Sequence, residues 1–189
     1  MNLIKRLNNK PLLLKVGVAV ILSWCILIAL YLVLPYYQLQ INLSTSLPQR
    51  FWIVHIGDKQ IQAGDYIVFK FHDKRMALNN YEDVVKQVSG VAGDIVEAMP
   101  VTVATTEVIN VLKVTHLKTT KPQLPEYSIY PVYQILSGYH FTPLTLTRLV
   151  IPQGCYFVHG NQQPTFDSRY QEMGLVCAKQ IYGRAYPLF

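Results

Sequence analysis

The sequence predicts a mainly β protein, one domain behind a single N-terminal transmembrane helix. Three observations carry this. Val16 to Leu34 contains no charged residue. Beyond it, short runs rich in β-branched and aromatic residues alternate with Gly-Asp turns. No window past the apolar run repeats its hydrophobic residues at helical spacing. A chain of 189 residues has room for one anchor and one domain of ordinary size.

The anchor comes first. The run 16–34, about 19 residues at roughly 1.5 Å each, suffices to cross a ~30 Å hydrocarbon core. A cleaved signal peptide would end in small residues, whereas this run ends in Tyr31-Leu32-Val33-Leu34-Pro35-Tyr36-Tyr37. An uncleaved anchor is therefore expected, with the tyrosines in the interfacial belt. Lys5, Arg6, Lys10 and Lys15 precede it without an acidic residue, which keeps residues 1–15 cytoplasmic. Residues 36–189 then form an outer domain, in a periplasm if the membrane is a bacterial inner membrane. Removing those four cations from the formal +6 leaves +2, so the basic balance reports topology and leaves no nucleic-acid footprint.

In the outer domain, Phe51–Ile56 reads as a strand ending at Gly57-Asp58, and Tyr66–Phe71 as a second after Gly64-Asp65. Phe51 and Trp52 are read as core, with lipid contact the alternative. A polar loop from His72 to Asp83 precedes a strand from Val84 to Gly90, the turn Val91–Asp94 and a strand from Ile95. Residues 100–147 read as an insertion of irregular strands and loops without chemistry. Order returns at Leu149, followed by a strand from Cys155 to His159 and a last one from about Gly174 to Ile181. Cys25 lies in the span. Cys155 and Cys177 stand on segments that look like neighbouring strands, and a disulfide and two free thiols are both open. The five histidines are scattered without zinc spacing.

Three stretches stand out together: Ser44-x-Ser46-Leu47-Pro48, Lys86-x-Val88-x-Gly90-x-x-Gly93-Asp94, and Thr165-Phe166-Asp167-Ser168-Arg169. In that order behind an N-in anchor, they resemble the signal peptidase I superfamily, peptidase family S26. Within it the likeness is to the TraF-type peptidases of conjugative transfer systems, which mature pilin subunits. The closing Ile-x-Gly-Arg-Ala-x-Pro-Leu extends it over nearly the whole chain except the insertion.

The resemblance implies a signal-peptidase-like antiparallel β catalytic domain that hydrolyses amides with a Ser/Lys dyad and no cofactor or metal. Serine needs a base within hydrogen-bond reach. Lysine, ordinarily protonated up to a pKa near 10.4, can serve only if burial lowers that value. By the same resemblance Ser46 is the nucleophile and Lys86 the base. The oxyanion donors are the Ser46 backbone N–H and the Ser44 hydroxyl. Thr165 orients the lysine. Asp167 and Arg169, two apart on an expected strand, pair to fix the surrounding loop.

The departures point to a specialised enzyme. Leu47 follows the nucleophile where housekeeping signal peptidases carry Met. Gly160-Asn161-Gln162-Gln163-Pro164 replaces their Gly-Asp-Asn turn, and Gln49-Arg50 stand where a glycine is usual. The implied substrate is an exported precursor, most of all a conjugative pilin, and some relatives also cyclise it. Partners would be that precursor, membrane lipid and the conjugative transfer machinery. A general signal peptidase and a catalytically silent assembly protein are the alternatives. Twelve residues from Leu34 to Ser46 span at most ~40 Å, which tethers the site near the outer membrane boundary.

Overall fold

The computed structural model describes residues 12–42, 46–72, 82–99, 108–117, 125–133, 135–136, 139–162 and 165–188. Ser44, the N-terminal basic residues Lys5, Arg6 and Lys10, and most of the loop after His72 lie outside the described residues. The chain divides into two compact units between Gln38 and Leu39.

The first unit is α1 (Leu12–Val33), closed by a 3₁₀ turn at Leu34–Tyr36 that contains Pro35. Helix is the form that lets such a run bond its own backbone where no water can. Its serine obeys the same need, since Ser23 Oγ donates to Ala19 O at 2.9 Å. Ile21, Leu22, Trp24 and Leu27 are all exposed. The apolar stretch Leu14–Tyr36 is long and apolar enough to cross a membrane. The helix begins before Val16 because Leu12 to Leu14 continue the run behind Lys15.

The second unit is built of strands. They are β1 (Tyr37–Ile41), β2 (Phe51–Ile56), β3 (Tyr66–Phe71), β4 (Glu82–Gly90), β5 (Ile95–Met99) and β6 (Val108–Thr115). There follow β7 (Tyr127–Tyr133), β8 (Ile135–Leu136), β9 (Tyr139–His140), β10 (Leu149–Val150), β11 (Cys155–His159), β12 (Val176–Cys177) and β13 (Ile181–Pro187). Seven form one sheet in the order β1-β2-β13-β3-β4-β11-β12, and four a second in the order β10-β5-β6-β7. Every pairing from β2 to β12 is antiparallel. The mainly β expectation holds.

Three expectations need correction. The segment Gly174 to Ile181 is not one strand. It is the two-residue β12, then a turn in which Gln180 N–H donates to Cys177 O at 2.9 Å. The true last strand, β13, takes the closing Ile-Tyr-Gly-Arg-Ala-Tyr-Pro into the seven-stranded sheet between β2 and β3. The insertion is more regular than expected, because β6 and β7 pair along most of their length. The strand expected from Val84 begins two residues earlier, at Glu82.

Three apolar clusters hold the unit together. One lies between the sheets, with Val96, Leu112 and Val114 meeting Phe157 and Tyr170. The second gathers Ile67, Phe69, Val88, Val158 and Ile181 on one face of the larger sheet. The third packs Leu47 with Trp52, Val54, Val68, Val85 and Ala185. Trp52 is 0% exposed, so it is core. Cys155 and Cys177, direct partners across β11 and β12, are joined by a disulfide.

Candidate active site

The site is assembled from β4, the turn before β2 and the segment after β11. Strand alternation puts Lys86 on the same face of β4 as Val84 and Val88, and opposite Ile67 of β3. These apolar neighbours share one cluster, and Lys86 is 4% exposed. Beyond Val88 the ladder to β11 shifts register, and Ser89 Oγ donates to Phe157 O at 3.2 Å. The strand then enters the turn Val91–Asp94, where Gly93 adopts φ +95, a conformation that only glycine takes readily. Asp94 accepts the Val91 N–H at 3.0 Å, the Leu117 N–H at 3.1 Å, and lies 3.0 Å from His116 Nδ1. The Gly93-Asp94 part of the second motif thus ties the lysine strand to the second sheet.

Burial is the main force on Lys86. Desolvation pulls its ammonium from 10.5 down to about 8; the Asp167 carboxylate works against this and Arg169 adds to it. At neutral pH a lysine with a pKa of about 8 is about one-tenth free amine, roughly three-hundredfold more than an ordinary one. Its Nζ donates to Thr165 Oγ1 at 3.1 Å, which fixes the amine in direction. His159, at the end of β11, is held down to about 4, chiefly by burial, and is neutral at physiological pH.

Ser46 is 7% exposed and stands immediately before Leu47, whose side chain is sunk among Trp52, Val54 and Val85. An apolar residue after Ser46 is thereby explained, since it anchors the serine's backbone in the core. From the other side, Gln162 N–H donates to Ser46 O at 3.2 Å. Gly160 is the hinge of the arrangement. A Cβ there would lie 2.8 Å from Ser46 O and 2.8 Å from Thr165 Oγ1, so only glycine lets the two approach. Gly160 thus stands against both the Ser46 carbonyl and Thr165, and Thr165 is the partner of Lys86.

Asp167 and Arg169 are both 0% exposed and form a fork, with Arg169 Nε to Oδ1 at 2.7 Å and Nη2 to Oδ2 at 2.6 Å. Their segment is not a strand, as expected, but a turn in which Tyr170 N–H donates to Asp167 O at 3.1 Å. The turn lets the carboxylate also accept Arg169 N–H and Gly160 N–H, each at 3.1 Å. Arg169 further donates to Thr165 O at 3.1 Å and to Pro131 O on β7. The buried pair thus satisfies itself and clamps both Gly160 and Thr165. Ser44 falls outside the described residues.

The comparisons agree with the three motifs. The signal peptidase family, peptidase S26, matches residues 11–189. The chain belongs to this family. Membership makes it a serine peptidase of the signal peptidase type, acting on precursor proteins, and with α1 it makes a membrane-anchored one. A crystallographic signal peptidase I from Enterococcus faecalis V583 is 20% identical over 67% of this chain and 97% of that one, with a TM-score of 0.35. The comparison with curated proteins finds no match.

Three contributions to the site were missed from sequence. Gly160 had a usable signal, a glycine closing a strand just before a hydroxyl-bearing motif. Leu47 was read as a departure rather than as an anchor. The Pro131 carbonyl had no signal, because any residue supplies one.

Proposed function

We propose that this signal peptidase works through a Ser46/Lys86 dyad to remove a signal or propeptide from an exported precursor, a conjugative pilin. The carrying observation is the buried Lys86, with its lowered pKa and its bond to Thr165, a residue that shares the close approach at Gly160 with the Ser46 carbonyl. Neutral Lys86 takes the Ser46 Oγ proton as the oxygen attacks the scissile carbonyl. The Ser46 N–H and the Ser44 hydroxyl receive the developing oxyanion. Lys86 then gives the proton to the leaving amine, and water, or an amine of the pilin itself, resolves the acyl-enzyme.

The Cys155–Cys177 disulfide supports a catalytic domain on the oxidising side of the membrane, hence an N-in anchor in a bacterial inner membrane. Pilin specificity rests on the TraF-type likeness.

The test is co-expression with a conjugative pilin precursor, read by intact mass. Cleavage shortens the precursor, and a further loss of one water reports cyclisation. Ser46→Ala and Lys86→Ala should each leave it full length while staying in the membrane fraction. Normal processing by both variants would sink the dyad. Processing of many unrelated exported precursors would replace the pilin reading with that of a general signal peptidase. Loss of pilus assembly with normal precursor size would favour an assembly protein.

A further inference from the structure

We propose that Cys155 and Cys177 are positioning residues for this reaction: their disulfide closes the base of the loop that holds Thr165 against Lys86. The proposal rests on the Ser46/Lys86 reading above. The loop leaves Cys155 through β11 and returns to Cys177 on β12, a separation of 22 residues. Between them lie Gly160 and Gln162, which meet the Ser46 backbone, and Thr165, which meets Lys86. The Asp167–Arg169 fork is inside the same loop.

Without the bond, the base of the loop is held by non-covalent contacts alone. β12 is two residues long and is the outermost strand of its sheet, so it has a ladder on one side only. So short a pairing holds little by itself. Val176, paired with Tyr156 and packed with Val158, and the Ala178 N–H, which donates to Gly154 O at 2.8 Å, also cross the base, so the disulfide is the covalent part of a closure that these contacts share. The depressed pKa of Lys86 comes first from desolvation, so water admitted by a loosened Thr165 segment raises it. Both cysteines are half-buried, within reach of a small dithiol. Such a reductant supplies two electrons and two protons. The Cys155–Cys177 S–S bond breaks, two S–H bonds form, and the dithiol closes into its own cyclic disulfide. Activity would then follow the oxidising power of the compartment.

The experiment measures Lys86 itself and needs no substrate. The full chain in detergent, with Cys25 first blocked by N-ethylmaleimide, is trace-labelled with acetic anhydride across pH, and mass spectrometry reads the Lys86 titration midpoint. In the oxidised protein the midpoint is expected at about 8. Dithiol treatment should move it up by at least about one unit, and reoxidation should restore it. The double variant Cys155→Ala/Cys177→Ala should match the reduced protein. An unchanged midpoint on reduction overturns the proposal even if the melting temperature falls, because a merely structural bond would behave so. Loss of the aromatic circular dichroism on reduction overturns it too, since the bond would then hold the whole domain. An oxidised protein whose Lys86 already titrates near 10.5 sinks the proposal together with the dyad. If the midpoint rises on reduction while Ser46→Ala still processes precursor, the positioning stands and the functional reading fails.

Discussion

At the residue scale, the decisive property is the charge state of Lys86. The proposed dyad needs the free amine, so kcat/KM should rise with pH through a midpoint of about 8 and level off above it. A flat profile between pH 6 and 9 would rule Lys86 out as the base. His159 cannot imitate this limb, because its own transition is held down to about 4. Gly160 is the second sensitive residue. Gly160→Ala puts a Cβ 2.8 Å from both Ser46 O and Thr165 Oγ1, and a shift of about 1 Å there should lower kcat by about 10²-fold. Purified Gly160→Ala retaining wild-type turnover would contradict the close approach. If the proposed role of Ser44 as an oxyanion donor holds, Ser44→Ala should slow turnover about 10²–10³-fold without abolishing it.

At the element scale, the turn Thr165–Tyr170 and the strand β7 act together. The Asp167–Arg169 fork reaches Gly160, Thr165 and the Pro131 carbonyl, so it joins the site to the second sheet. Removing one partner leaves a buried, uncompensated charge, and Asp167→Ala should destabilise the domain by about 3–5 kcal/mol in denaturant unfolding. A loss below about 1 kcal/mol would mean that water replaces the carboxylate. Leu47 performs the matching task on the serine side. Leu47→Ala should cost about 2–5 kcal/mol, whereas the volume-conserving Leu47→Met should cost less than about 1.5 kcal/mol and keep turnover.

At the scale of the whole molecule, the site works against stability. Lys86 has a folded pKa below its unfolded one, so the unfolded chain binds more protons between about pH 8 and 10.5. Below that window the fold carries the full cost of a buried ammonium; across it stability rises with pH. Lys86→Met should therefore raise the melting temperature at neutral pH while ending turnover. A lower melting temperature would show that the amine's bond to Thr165 outweighs its burial. The disulfide opposes this cost, since closing a loop of 22 residues contributes about 3 kcal/mol in the chain-entropy view. The membrane anchor is independent of both. The full chain should stay in the membrane pellet after alkaline carbonate.

By itself the sequence determined whatever depends on near neighbours along the chain. The anchor was legible because apolar length is a local quantity. β2, β3 and β11 were legible to the residue because each ends at its own glycine, polar or turn signal. The three motifs and their order were legible because chemistry at a site restricts residue type. Only the tertiary structure decided that Lys86 faces an apolar cluster rather than solvent, whereas its bond to Thr165, 79 residues away, follows what the resemblance implied. It alone folded Asp167 and Arg169 into a turn, placed the closing segment between β2 and β3, and joined Cys155 to Cys177. The reason is physical. Propensity is set within a few residues, but burial, pKa and the identity of a buried partner are set by groups that only folding brings together.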